Sequence, residues 1–257
     1  LTWEPRDTDD EHHVSIFGKT EEGKSVCVTT SFNPYFFIKL SFGTSQQAIN
    51  EIYNTLCKKC PDCIISYSMA KSKDVWGFQN NEEFYFMKIN FKNLGTRRRV
   101  DSFLRRPIEL SSGSRVLKVY ESNLDPVLRL MHRTGIQSTG WLDSGDKCVR
   151  SHLAKVDIDL WCNDWTTLKP VERDDIAPFV VASLDIECNS STGKFPSADV
   201  AGDACFQIAI SLCKFGTDEP YEKVCLCYKK TEGPDVVSFD TEREMLEAFK
   251  KYIDDKD

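Results

Sequence analysis

The sequence predicts an α+β protein in two parts: an N-terminal mixed α/β domain built on an antiparallel sheet, then a three-strand antiparallel meander closed by a helix. Three observations carry that reading. Many short segments alternate apolar and polar residues at the two-residue period of a half-buried strand. Fewer, longer segments repeat apolar residues at helical spacing. A charged, proline-punctuated stretch at 168–178 (LKPVERDDIAP) separates a mixed pattern from one of consecutive strands, which predicts a division into 1–172 and 173–257.

Element by element, HVSIFGKT (13–20) and KSVCVTTSF (24–32) read as a hairpin across Glu21-Glu22-Gly23. PYFFIKLSF (34–42) follows as a strand with Pro34 at its start, where no ladder donor is needed. Ser45 to Cys57 carries Ile49, Ile52 and Leu56 at helical spacing. CIISYSMAK and EFYFMKINF are strands joined by a turn at GFQNNE. A basic helix spans Asn93 to Arg106 and stops before Pro107, because the residue preceding proline is pushed out of helical geometry. RVLKVYES reads as a strand, Asp125 to Arg133 as a short helix with Pro126 in its first turn and Gly135 closing it, and KVDIDLWC as another strand. In the second part FVVASLDIEC, FQIAISLCKFG and KVCLCYKK form the meander. The last helix, Thr241 to Asp254, opens on a capping box of Thr241 and Glu244 and sets Met245, Phe249 and Tyr252 on one face.

Composition narrows the function classes. No stretch is apolar for long enough to span a bilayer, and LTWEPRDTDDEHH at the start is charged where an export signal needs an apolar run. Eleven irregularly spaced cysteines then read as reduced thiols in an intracellular protein. The chain starts on Leu1 and ends on a charged helix tail, which reads as a piece of something longer. Net charge is −7, yet Lys88, Lys92, Arg97, Arg98, Arg99, Arg105 and Arg106 crowd one region. A local basic face serves phosphate contacts whatever the overall charge, and Arg97, Arg98 and Arg99 are the candidates; a solvated basic helix is the plainer alternative.

The sharpest chemical signal is Asp185-Ile186-Glu187 at the end of an apolar run. On a strand, side chains two apart point the same way, so Asp185 and Glu187 share a face while Leu184 and Ile186 take the other. If the strand is buried, two neighbouring carboxylates repel unless cations hold them, and hard divalent ions with oxygen ligands suit that pair. Two such ions are what phosphodiester hydrolysis uses: one activates water and the other stabilises the leaving oxygen. A bare D-x-E is common as a solvated strand end; its placement before a meander and a helix is also how the ribonuclease H-like nuclease fold begins, an analogy at the level of fold.

The surrounding residues add a resemblance. VASLDIECNSSTGKFPSADVAGDACFQIAISL is similar to the first exonuclease motif region of family B DNA polymerases, especially the delta-like enzymes of eukaryotes and large DNA viruses. Phe195-Pro196, then Asp203 and Gln207-Ile208, then the helix after SFDTEREM fall in family order. SFNPYFFIKL, DVWGFQNNEEFYFMKINFKN and VYESNLDPVLRLMHRTGIQSTGW resemble successive landmarks of that family's N-terminal domain, so the resemblance covers nearly the whole chain. It implies a polymerase N-terminal domain followed by the first part of a ribonuclease H-like 3′ to 5′ proofreading exonuclease. Asp185 and Glu187 would be its first two ligands for two Mg2+ or Mn2+ ions. Phe195 and Pro196 would lie near the frayed 3′ end of the primer, on a loop to Asp203 that is longer than in cellular delta enzymes. Primer-template and single-stranded DNA, a sliding clamp and other replication proteins are the implied partners, in the nucleus or at a viral replication site. The remaining exonuclease aspartates and tyrosine have no counterpart here, so the chain by itself is expected to be inactive.

Two other readings stay open. A stand-alone ribonuclease H-like nuclease would need further carboxylates, for which Asp203, Asp235 and Asp240 can be proposed. A non-catalytic nucleic-acid-binding scaffold would leave Asp185 and Glu187 incidental. Cys57, Cys60 and Cys63 form C-x-x-C-x-x-C, but a closed zinc site wants a fourth ligand, so they read as thiols at a helix end. The adjacent His12 and His13 read as part of a polar, mobile segment.

Overall fold

The computed structural model describes residues 2–7 and 11–256. They divide into two compact units: residues 1–20 with 24–174, and residues 21–23 with 175–257.

The first unit opens on β1 (Thr2–Asp7), β2 (His12–Lys19) and β3 (Ser25–Ser31), an antiparallel run in which the sequence signalled only the last two strands. His12 and His13 therefore lie on β2 rather than in a mobile segment: His12 is fully buried, and the His13 ring meets Trp161 edge to face at 5.0 Å. The next strand, β4 (Tyr35–Lys39), leaves that sheet for a second one.

That second sheet has split β-α-β connectivity. After β4 come α1 (Gln46–Lys59), β5 (Ile64–Lys73), β6 (Glu83–Phe91), α2 (Leu94–Leu104), a small hairpin of β7 (Ile108–Leu110) and β8 (Gly113–Arg115), and β9 (Val119–Tyr120). The strand order is β5-β6-β4-β9, with every neighbouring pair antiparallel. The expected single strand over 115–122 is thus split between β8 and β9. Each helix starts on a side-chain cap, Ser45 for α1 and an Asn93–Thr96 capping box for α2, satisfying amide groups that have no partner inside the helix. Ile49, Ile52 and Leu56 of α1 and Val100 and Leu104 of α2 pack on Phe36, Ile38, Met87, Ile89 and Phe91. Cys60 and Cys63, at 2% and 1% exposure, belong to the same core, as small apolar side chains do.

The rest of the first unit is α3 (Pro126–Thr134), β10 (Trp141–Asp143), β11 (Cys148–Arg150), β12 (Ile158–Cys162) and β13 (Lys169–Val171). Asp125 caps α3, and Gly135 ends it at φ +77°, a left-handed position where a Cβ would be strained. β12 adds to β3 in parallel, completing a sheet ordered β1-β2-β3-β12-β11, while β10 pairs with β13.

The second unit contains β14 (Val180–Asn189), β15 (Ala204–Lys214), β16 (Glu222–Tyr228), β17 (Val236–Phe239) and α4 (Glu242–Asp254). The first three strands form the antiparallel meander, and a fourth, β17, joins β16 in parallel. Ile208, Ile210, Leu212, Leu226 and Met245 make the core, with Phe249 and Tyr252 of α4 packed against it. Among the described residues no helix is long and apolar enough to cross a membrane.

Candidate functional site

β14 is the outermost strand of its sheet, and the register fixes its two faces. Leu184 and Ile186 stand opposite Ile210 and Ile208 and so share the face that α4 covers further in. Asp185 and Glu187 stand opposite Ala209 and Gln207 on the other face. Neither neighbour is charged and one is only a methyl group, which leaves room beside the two carboxylates. A register shift falls between Glu187 and Cys188, and such bulges bend a strand and re-aim its side chains.

One expectation is corrected here. The strand is not buried: Leu184 is 54% and Ile186 55% exposed, and Asp185 and Glu187 are exposed as well. The apolar run suggested a central strand, but β14 has a neighbour on one side only, and the helix lies over β15, β16 and β17. On the carboxylate face a depression of about 460 Å³ brings Asp185 together with Ser183, Ser211, Lys223, Cys225 and Asp235. Among the described residues no three His, Cys, Asp or Glu side chains converge as a metal-holding group. As a donor set, two open carboxylates on one strand face fit hard divalent cations, which prefer oxygen ligands.

Asp203 has a structural task that the sequence did not disclose. Its carboxylate accepts from the Ser191 amide at 2.6 Å, the Ser191 hydroxyl at 2.7 Å and the Ser197 amide at 3.1 Å. The Ser191 hydroxyl bond, followed by these amide bonds, lowers its pKa below the ordinary carboxylate value. Asn189 adds two more ties, donating to the Gly202 carbonyl at 3.0 Å and accepting from the Ala204 amide at 3.1 Å. The 190–203 loop is therefore stapled at both ends and presents Phe195, 95% exposed, with Pro196 half-buried beside it.

The basic helix α2 in the first unit separates its three arginines. Arg98 and Arg99 are exposed. Arg97 is buried at 5% exposure on the same stripe as Val100 and Leu104, and its guanidinium donates to the Leu124 carbonyl at 2.6 Å. Burial, reinforced by Arg129 and Arg98, pushes its pKa down. Arg97 thus leaves the set of phosphate candidates, and Arg98 and Arg99 remain. The helical period of 3.6 already places positions 97, 100 and 104 on one stripe, a signal the basic triplet obscured.

Comparison with known proteins bears on the family and the fold. Residues 117–257 match the family described as DNA polymerase family B, exonuclease domain. A DNA polymerase of Paramecium bursaria Chlorella virus NY2A is 29% identical over 95% of this chain and 26% of its own length. The DNA polymerase delta catalytic subunit of Schizosaccharomyces pombe is 26% identical over 95% of this chain and 24% of its own length. The chain thus spans about a quarter of these relatives. The solved structure of the family B DNA polymerase from Pyrobaculum calidifontis shares the fold, with a TM-score of 0.66 and 17% identity over 98% of this chain and 28% of that one.

Proposed function

The chain belongs to DNA polymerase family B, and from that membership we propose that it supplies the N-terminal domain and the opening strands of the 3′ to 5′ proofreading exonuclease of a replicative polymerase. The observation that carries this reading is the placing of Asp185 and Glu187 on one open face of β14, immediately before a bulge. In the reading, residues 1–172 are the N-terminal domain and 173–257 the start of the exonuclease. Divalent ions, magnesium or manganese, supply a water of lowered pKa and stabilise the leaving oxygen when bound. Asp185 and Glu187 hold and orient them, and the stapled loop offers Phe195 and Pro196 to the last bases of a primer strand. Arg98 and Arg99 contact the phosphates of single-stranded template. The parent enzyme extends primers and trims mispaired 3′ ends in the nucleus or at a viral replication site, together with a sliding clamp and other replication proteins. Among the described residues no third carboxylate joins Asp185 and Glu187 as a metal-holding group, and in this reading that pair by itself does not hydrolyse DNA.

Paramagnetic manganese tests the site directly. Titrated into the 257-residue chain, it should broaden the amide resonances of residues 184–188 first, and Asp185→Ala should weaken that effect by more than roughly tenfold, the scale expected when a metal site is damaged. Uniform broadening, or broadening that Asp185→Ala leaves unchanged, would remove the exonuclease assignment from these residues.

A further inference from the structure

The turn joining β5 to β6 exposes apolar side chains at an unusual density. Val75 is 82%, Trp76 66% and Phe78 93% exposed, three within four residues. The base of this turn is firmly held. The Asp74 carboxylate, at 2% exposure, accepts from Lys39 at 2.6 Å, from the Tyr120 hydroxyl at 2.9 Å and from the Trp76 amide at 3.0 Å. Further out, Gln79 donates to the Trp76 carbonyl, Lys73 to the Asn81 side chain at 3.0 Å, and the Glu82 amide to the Gln79 carbonyl at 2.8 Å. The rings are thus displayed on a braced arm, which lowers the entropy cost of binding through them.

The charge around the rings has one sign in excess. Asp74 is neutralised by Lys39, and Glu83 by Lys71 at 3.0 Å. Lys118 stands 5.9 Å from the Trp76 ring centre and 4.0 Å from the Asp74 carboxylate that it shares with Lys39, and is 54% exposed, so three cations, Lys39, Lys71 and Lys118, face the two carboxylates Asp74 and Glu83. Arg115, three residues before Lys118, is exposed, and among the described residues Lys73 donates to the neutral Asn81 amide, with Glu82 as the counterweight. Open aromatic faces interleaved with cations are what single-stranded nucleic acid uses: bases stack on the rings and phosphates meet the lysines.

We propose that the β5–β6 turn, through Trp76 and Phe78 with Lys118 beside them, is a stacking platform for single-stranded nucleic acid. The proposal rests on the polymerase reading for its choice of partner, but on residues distinct from the exonuclease carboxylates and from the basic helix. Fluorescence anisotropy of a labelled oligothymidylate with the 257-residue chain tests it, comparing the wild type with Trp76→Ala/Phe78→Ala, Lys118→Glu and Arg98→Glu/Arg99→Glu. The double aromatic variant should weaken binding by roughly tenfold or more, the scale of one lost base–ring stack. Lys118→Glu should weaken it mainly at low salt. All replaced side chains are exposed, and circular dichroism confirms that the variants fold. Unchanged affinity in the aromatic variant, with weakened binding in the arginine variant, overturns the platform and leaves the wider reading standing; the exposed rings would then be a protein contact. No binding by the wild type overturns the platform and the basic-helix role together, while manganese binding at Asp185 continues to decide the exonuclease reading separately.

Discussion

At the scale of single residues, two buried charged side chains in the first unit, Arg97 and Asp74, carry testable consequences. Arg97 places a cation among Val100 and Leu104, with its Nε lacking a hydrogen-bond partner among the described residues. Removing a buried donor whose carbonyl partner then goes unmet costs about 2 kcal/mol, and a side chain of similar volume without the charge costs less. Arg97→Ala should therefore lower the thermal midpoint clearly and Arg97→Met less so, whereas Arg98→Ala and Arg99→Ala should stay within about 0.5 kcal/mol in urea melts. Asp74 acts with the opposite charge. The hydrogen bond from Lys39, helped by the Trp76 amide and the Tyr120 hydroxyl, holds its carboxyl well below the usual carboxylate range. A depressed folded-state pKa means the stabilisation is complete above the ordinary value of about 4 and is lost as pH falls below it. Asp74→Asn should flatten that acid-side slope in urea melts between about pH 4 and pH 2, and an unchanged slope would show that the carboxylate contributes nothing there.

At the scale of elements, the period of the sequence proved informative about direction and uninformative about cover. Alternation correctly put Asp185 and Glu187 on one face and Leu184 and Ile186 on the other. Whether that second face is buried depends on what lies across it, and α4 lies over β15, β16 and β17 rather than β14. Two isoleucines on one face of one sheet should therefore respond very differently to mutation. Ile210→Ala, at 3% exposure, should cost about 2–4 kcal/mol, and Ile186→Lys, at 55%, less than about 1 kcal/mol in the same denaturation assay. Comparable losses would mean that β14 is covered. Helix ends were legible for the same local reasons that form them: Ser45, Asn93, Asp125 and Thr241 each cap the helix that follows. The split of 115–122 into β8 and β9 was not legible, because short strands owe their pairing to distant partners.

At the scale of the whole molecule, what the sequence concealed is non-local. The parallel pairing of β12 with β3 joins Leu160 to Val28 across more than half the chain, and no local pattern announces it. The short β17 is invisible for a related reason: its four residues pair with β16 after a connection too brief to suggest a parallel return. The same limit hid the structural task of Asp203, which shows only when Ser191 and Ser197 close on it. By contrast, the family resemblance was legible because it is a property of order along the chain, and residues 117–257 carry it in the comparisons as well.

The open rail of β14 has a geometric consequence for how copies of the 257-residue chain could meet. If two chains added this strand to its own counterpart, antiparallel pairing would relate them by a two-fold axis, and each would spend the longer of the two rims of this sheet. The opposite rim of the sheet, β17, is four residues long and a poor template for continuing the ladder. Accretion through this sheet would therefore halt at a pair instead of lengthening into a fibre.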